Sequence, residues 1–150
     1  DWVRSNHFEH TVKTMEKYYK ETGNKIVINV CISLYNFFHL DKILEYFKDK
    51  EYIQWINFQN ITSRPDFVDI NCLPKNMFEY QMGKLEEVFD KNKWNFVHFG
   101  PLLKQTWKPR FENDKIGKEL FFKELDRMNS HRGFDLCDHI IELKIWRDSP

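Results

Sequence analysis

The side chains best placed to do chemistry in this chain are uncharged. Within the β-branched run Lys25 to Ser33, the residues Asn29, Cys31 and Ser33 take alternate positions, so as a strand they share one face. Asn57 and Gln59 alternate in the same way at the end of the run that begins at Tyr52. A closed apolar core has little use for amides, because a buried amide without partners costs roughly 1–3 kcal/mol. At the carboxyl ends of parallel strands such groups line ligand sites and orient what binds there. The competing use is local, with the same groups hydrogen-bonding the loops that follow their own strands.

Other constellations carry less. His7 and His10 flank Glu9 on a helical stretch, but spacing places no third ligand beside them, so they read as solvated surface. His131, Cys137 and His139 do not have the spacing of a metal finger. Lys104, Lys108, Arg110 and Lys115 interleave with Trp107 and Phe111, a composition able to stack bases and neutralise phosphates. Glu112 and Asp114 dilute that charge, and a solvated loop anchored by Trp107 is the expected outcome. Glycine-rich phosphate loops and serine or cysteine nucleophile motifs are missing.

Composition narrows the classes further. The 150 residues suit one domain, and 41% hydrophobic with 31% charged residues is the balance of a soluble globular chain. Basic and acidic residues number 23 each, so no global field draws the chain to nucleic acid or to an acidic membrane. A nucleic-acid role would rest on the 104–115 patch alone and would weaken steeply with salt. No apolar run approaches the length of a membrane span, and three widely spaced cysteines, Cys31, Cys72 and Cys137, fit reduced thiols in a cytoplasmic setting. The chain opens at Asp1 within an apparent helix, which leads us to expect a fragment or a processed chain.

These side chains need elements to position them. Phe8, Val12, Met15 and Tyr19 have helical spacing within Asn6 to Glu21, and Gly23-Asn24 supplies the stop. Lys25 to Ser33 reads as a parallel strand buried on both faces. A helix around Leu40, Ile43, Leu44 and Phe47 leads to a second strand, Tyr52 to Phe58. Helix, strand, helix, strand is a βα repeat, and it predicts parallel strands. Pro65 and Pro74 punctuate an irregular stretch. Beyond it lie a helix over Asn76 to Lys91, with Met77, Tyr80, Leu85, Val88 and Phe89 inward, and an aromatic segment holding Trp94, Phe96, Phe99, Trp107 and Phe111. A helix from Ile116 to Met128, stopped by Asn129-Ser130, and a last short helix within Asp135 to Trp146 complete the reading.

Three stretches, taken in order, resemble radical SAM proteins that carry a twitch-type C-terminal extension. Val30-Cys31-Ile32-Ser33-Leu34-Tyr35-Asn36, with Leu40 beyond it, resembles the family's late barrel strand. Pro65-Asp66-Phe67-Val68-Asp69-Ile70-Asn71-Cys72-Leu73-Pro74 resembles the segment that leads through Leu-Pro into a helix. Leu125-Asp126, then Arg132-Gly133 and Phe134, resembles the C-terminal signature, with Met128 to His131 inserted and Asp138-His139 where Pro-Glu is usual. The resemblance covers nearly the whole chain, and the order of the motifs carries it.

What the resemblance implies is an α/β fold holding the last βα units of a partial (β/α)6 TIM-like barrel with parallel strands. Residues 1–74 would be that barrel portion and residues 75–150 a mainly helical extension. The full-length parent would be an oxidoreductase using S-adenosylmethionine and a [4Fe–4S] cluster for reductive cleavage and hydrogen abstraction by a 5′-deoxyadenosyl radical. The cluster's closely spaced cysteine triplet is absent here, so this chain would ligate no metal and would be inactive alone. By position, Asn29, Ser33, Asn57 and Gln59 would contact the cofactor, while Tyr35 and Asn36 would sit at the barrel mouth with Asn36 capping the next helix. Amides and a hydroxyl suit that work because they orient an adenine or ribose without supplying a hydrogen that would quench a radical. The implied partners are the N-terminal part of the same protein and a peptide substrate. The alternative is a non-enzymatic α/β interaction domain whose contact surface is Trp94 to Phe111.

Overall fold

A computed structural model describes residues 8–60, 66–92, 97–98, 107–110 and 114–150. Helix α1 (Phe8–Thr22) turns Val12 into the protein, with Met15 and Tyr19 packed against the core. It stops where the helical spacing predicts. Gly23 takes φ 72°, a left-handed conformation that glycine adopts without a Cβ penalty, and its N–H reaches the Tyr19 carbonyl at 2.8 Å.

Strand β1 (Ile26–Ile32) follows, then helix α2 (Leu40–Phe47), strand β2 (Ile53–Asn60), helix α3 (Lys75–Asn92) and the two-residue strand β3 (Val97–His98). The strands form one parallel sheet in the order β1-β2-β3. Helices α4 (Asp114–Arg132) and α5 (Ile141–Asp148) complete the chain, and short 3-10 turns lie at 37–39, 66–68, 70–72 and 136–138. The fold is thus mixed α/β, mostly helical, with parallel strands.

One cluster forms the core, and it takes residues from both sides of the expected boundary between 74 and 75. Val30, Ile32, Ile56 and Phe58 meet Phe37, Phe38, Leu40 and Leu44 on one side of that boundary and Phe78, Leu85, Phe121, Leu125 and Trp146 on the other. Phe121 and Trp146 stack with centroids 5.6 Å apart, which locks α5 against α4.

Three expectations need correction. Strand β1 is not buried on both faces: Val30 and Ile32 are buried while Asn29 and Cys31, between and before them, are exposed. The described helices contribute to one core on one side of the strand, so polar residues can occupy the other. On α3 the inward stripe is Phe78, Gln81, Met82 and Leu85, and Tyr80 is 63% exposed because it falls on the opposite side of that spacing. Helix α4 runs through Asn129-Ser130 to Arg132. There the Ser130 hydroxyl donates to the Arg127 carbonyl at 2.8 Å and the Asn129 amide to Asp135 at 2.8 Å, so neither side chain diverts the backbone. Gly133, at φ 66°, supplies the stop. Met128 to His131 are residues of this helix.

Candidate functional site on the sheet

In a parallel sheet, residues paired in register point to the same face. The register sets Val27 beside Trp55, Asn29 beside Asn57 and Cys31 beside Gln59. Asn29, Cys31, Trp55 and Gln59 are exposed and Asn57 is half-buried, whereas Val30, Ile32, Ile56 and Phe58 are buried on the opposite face. The sheet therefore has a closed apolar side and a polar side.

At the centre of the polar side the Asn57 amide donates from Nδ2 to Asn29 Oδ1 at 3.0 Å, across the two strands. That bond leaves the Asn29 amino group and the Asn57 carbonyl oxygen as donor and acceptor. Each can engage a ligand that presents the complementary atom, such as a ring nitrogen or an exocyclic amine. Cys31 and Gln59 extend the patch toward the carboxyl ends of the strands, and Trp55 flanks it on the other side with an aromatic surface. Asn57 also pairs in Cα register with His98 of β3.

Of the four residues expected to contact a ligand, Asn29, Asn57 and Gln59 come together. Ser33 stands apart. The strand ends at Ile32, and Ser33 enters the following turn with only 5% exposure. Its carbonyl accepts from the N–H groups of Asn36 and Phe37, at 3.1 and 2.9 Å.

Asn36 does not cap the next helix with its side chain. Its amide group is used at both ends by the strand it follows, donating to the Cys31 carbonyl at 2.9 Å and accepting from the Ser33 N–H at 2.9 Å. It clamps the end of β1. Tyr35 likewise turns away from the polar face. Its ring lies 5.3 Å from that of Phe121 and its hydroxyl 3.7 Å from the Met128 sulfur. Burial, with the Glu124 carboxylate second, pushes its phenol up to about 12, so Tyr35 stays neutral at physiological pH.

The basic and aromatic segment is used for anchoring where it is described. The Trp107 indole N–H donates to the Leu73 carbonyl at 2.9 Å, as expected of an anchor. Arg110 is ion-paired with Asp66, and its own N–H reaches the Asn71 carbonyl. Lys104, Trp94, Phe96, Phe99 and Phe111 lie outside the described residues, as does His7. Among the described residues no three His, Cys, Asp or Glu side chains gather as a metal site. His131 and His139 are exposed while Cys137 is buried, its thiol pushed up to about 11 by burial and then by Asp135. None of the three cysteines forms a disulfide. No described helix is long and apolar enough to cross a membrane.

Sequence reasoning missed Trp55 as a member of the polar face. The signal was present, since Trp55, Asn57 and Gln59 share the two-residue period. No protein-family model, curated protein or solved structure matches the chain.

Proposed function

We propose that this chain is part of a radical SAM enzyme, contributing the last βα units of its partial (β/α)6 barrel and a helical C-terminal extension. The observation that carries the reading is the Asn57–Asn29 hydrogen bond on the open face of two adjacent parallel strands. A barrel keeps helices on one side of its strands and turns the other toward the lumen, where sites collect at the carboxyl ends of the strands. Core packing on one face and amides on the other agree with that arrangement.

In this reading Asn29, Asn57 and Gln59 hold the adenosyl portion of S-adenosylmethionine, and Ser33 shapes the strand end behind them. Their neutral amides fit such a group. The scattered thiols of Cys31, Cys72 and Cys137 do not fit a [4Fe–4S] cluster, which would be held elsewhere in the parent protein. When bound, cofactor and cluster supply radical hydrogen abstraction. The residues of this chain orient the nucleoside and floor the substrate pocket, with a peptide as the substrate class and the reducing cytoplasm as the compartment.

The test is to express the complete reading frame anaerobically, reconstitute it with iron and sulfide, and measure 5′-deoxyadenosine release from S-adenosylmethionine under reduction. Release is expected, and Asn29→Ala or Asn57→Ala should raise the S-adenosylmethionine KM about tenfold, the worth of one net hydrogen bond. A protein that binds no cluster and releases no nucleoside overturns the reading in favour of an interaction domain.

A further inference from the structure

The register divides the open face of the β1–β2 pair into three rows: Val27 beside Trp55, Asn29 beside Asn57, and Cys31 beside Gln59. Successive rows are two residues apart, so they lie about 6.7 Å from one another along the strands. None of these six side chains carries a charge. A phosphate or carboxylate finds no counter-charge among them, whereas a neutral planar group finds hydrogen-bonding atoms in the middle row.

Trp55 keeps 36% of its surface exposed on this face, more than is usual for an indole. Aromatic rings pair best with centroids about 4.5–7 Å apart. The row spacing falls in that range, so a ring hydrogen-bonded to the Asn29–Asn57 row stands within stacking reach of Trp55.

The middle row also discriminates. With Asn57 Nδ2 bonded to Asn29 Oδ1 at 3.0 Å, the Asn29 amide still offers its amino group and a second oxygen lone pair. A carboxamide meets the N7 acceptor and the N6 amino donor of adenine with both of its atoms at once. A 6-oxopurine presents two acceptors along that edge, and one of them would face the Asn29 oxygen.

We propose that Trp55 is a ligand-binding residue whose indole stacks on an adenine read by the Asn29–Asn57 row, and that this frame selects 6-aminopurine over 6-oxopurine nucleosides. The assignment deepens the adenosyl reading of this face and rests on it.

Cys31 supplies the reporter, because it is exposed in the row next to the amides while Cys72 and Cys137 are buried. In the complete reading frame, alkylation of Cys31 by iodoacetamide is followed by mass spectrometry of its peptide, with adenosine, with inosine and with neither. Adenosine should slow the alkylation at a concentration about tenfold or more below that needed of inosine. Trp55→Ala should raise the adenosine concentration needed by about tenfold, and Trp55→Phe should restore most of the loss. Trp55→Leu, which keeps the apolar bulk without an aromatic ring, should behave as Trp55→Ala and covers the case in which the smaller side chain exposes Cys72 or Cys137. Equal protection by the two nucleosides overturns the proposal, as does no protection by either, or adenosine protection unchanged in Trp55→Leu. The enzymatic reading is read out separately. Nucleoside release from S-adenosylmethionine without Cys31 protection would keep the radical chemistry and discard the frame, and selective protection without release would do the reverse.

Discussion

The two faces of the β1–β2 pair are made by the same fifteen or so residues, about half pointing each way by the pleat, yet they obey different rules. On one face Val30, Ile32, Ile56 and Phe58 are at most 9% exposed and sit within the single core. On the other, Asn29, Asn57, Cys31 and Gln59 are held by one interstrand hydrogen bond and the shared backbone. The closed face is specified by volume and by exclusion of water. The open face is specified by hydrogen-bond direction, and that makes it suited to selecting a partner rather than to holding the fold together.

The largest effect that would sharpen this contrast comes from the closed face. Phe58→Ala should destabilise the protein by about 3–5 kcal/mol in urea unfolding, through lost transfer energy and the cavity left behind. Its neighbour Gln59→Ala should change stability by no more than about 0.5 kcal/mol. Comparable losses at both positions would break the distinction between the faces.

Next in size is the clamp at the end of β1. Asn36→Ala leaves the Cys31 carbonyl and the Ser33 N–H without their side-chain partner, and a loss of about 1–3 kcal/mol is expected. Asn36→Asp should keep the acceptor for Ser33 and lose the donor for Cys31, so it should fall between the two. An Asn36→Ala protein as stable as the parent would mean the strand end is held by its backbone alone.

The amide pair itself should matter less to stability. In a double-mutant cycle, Asn29→Ala and Asn57→Ala should couple by about 0.5–1 kcal/mol, the lower part of the range for a net hydrogen bond because both groups meet water. Coupling above that range would place the pair in a dry environment and turn the open face into part of the core.

The smallest effect is one of pH. His39 lies half-buried with Lys42 Nζ 3.0 Å from its Nε2, and burial first, then the Lys42 charge, hold its pKa below the usual 6.5. Asp41 and Glu142 oppose the shift. The unfolded chain therefore takes up this proton at a higher pH than the folded one. The stability contributed by neutral His39 is complete above pH 6.5 and declines as pH falls through the lowered folded value. Thermal melting between pH 7.5 and 5.5 should show that slope, and His39→Gln should flatten it.

Much of the element order was legible because it is written in local periods. The stripe Phe8, Val12, Met15, Tyr19 and the stop at Gly23 place α1 to within a turn, and β-branched runs place β1 and β2. The end of α4 was misread because Asn129 and Ser130 resemble helix breakers in isolation, and only the bonds from the Asn129 Nδ2 to Asp135 and from the Ser130 hydroxyl to the Arg127 carbonyl show them engaged within a helix. The polar positions of the site were legible too, since alternation alone groups Asn29 with Cys31 and Asn57 with Gln59. Ser33 fell out of that group because the strand stops one residue before it.

By itself, then, the sequence determined the helices, the strands and which residues share a pleat, because those depend on neighbours a few positions away. Only the tertiary structure decided which pleat is closed, that Asn57 meets Asn29 across 28 residues of chain, and that Asn36, Tyr35 and Trp107 turn to anchoring. Those outcomes depend on interstrand register and on where the helices gather, and both arise from packing between segments remote in sequence.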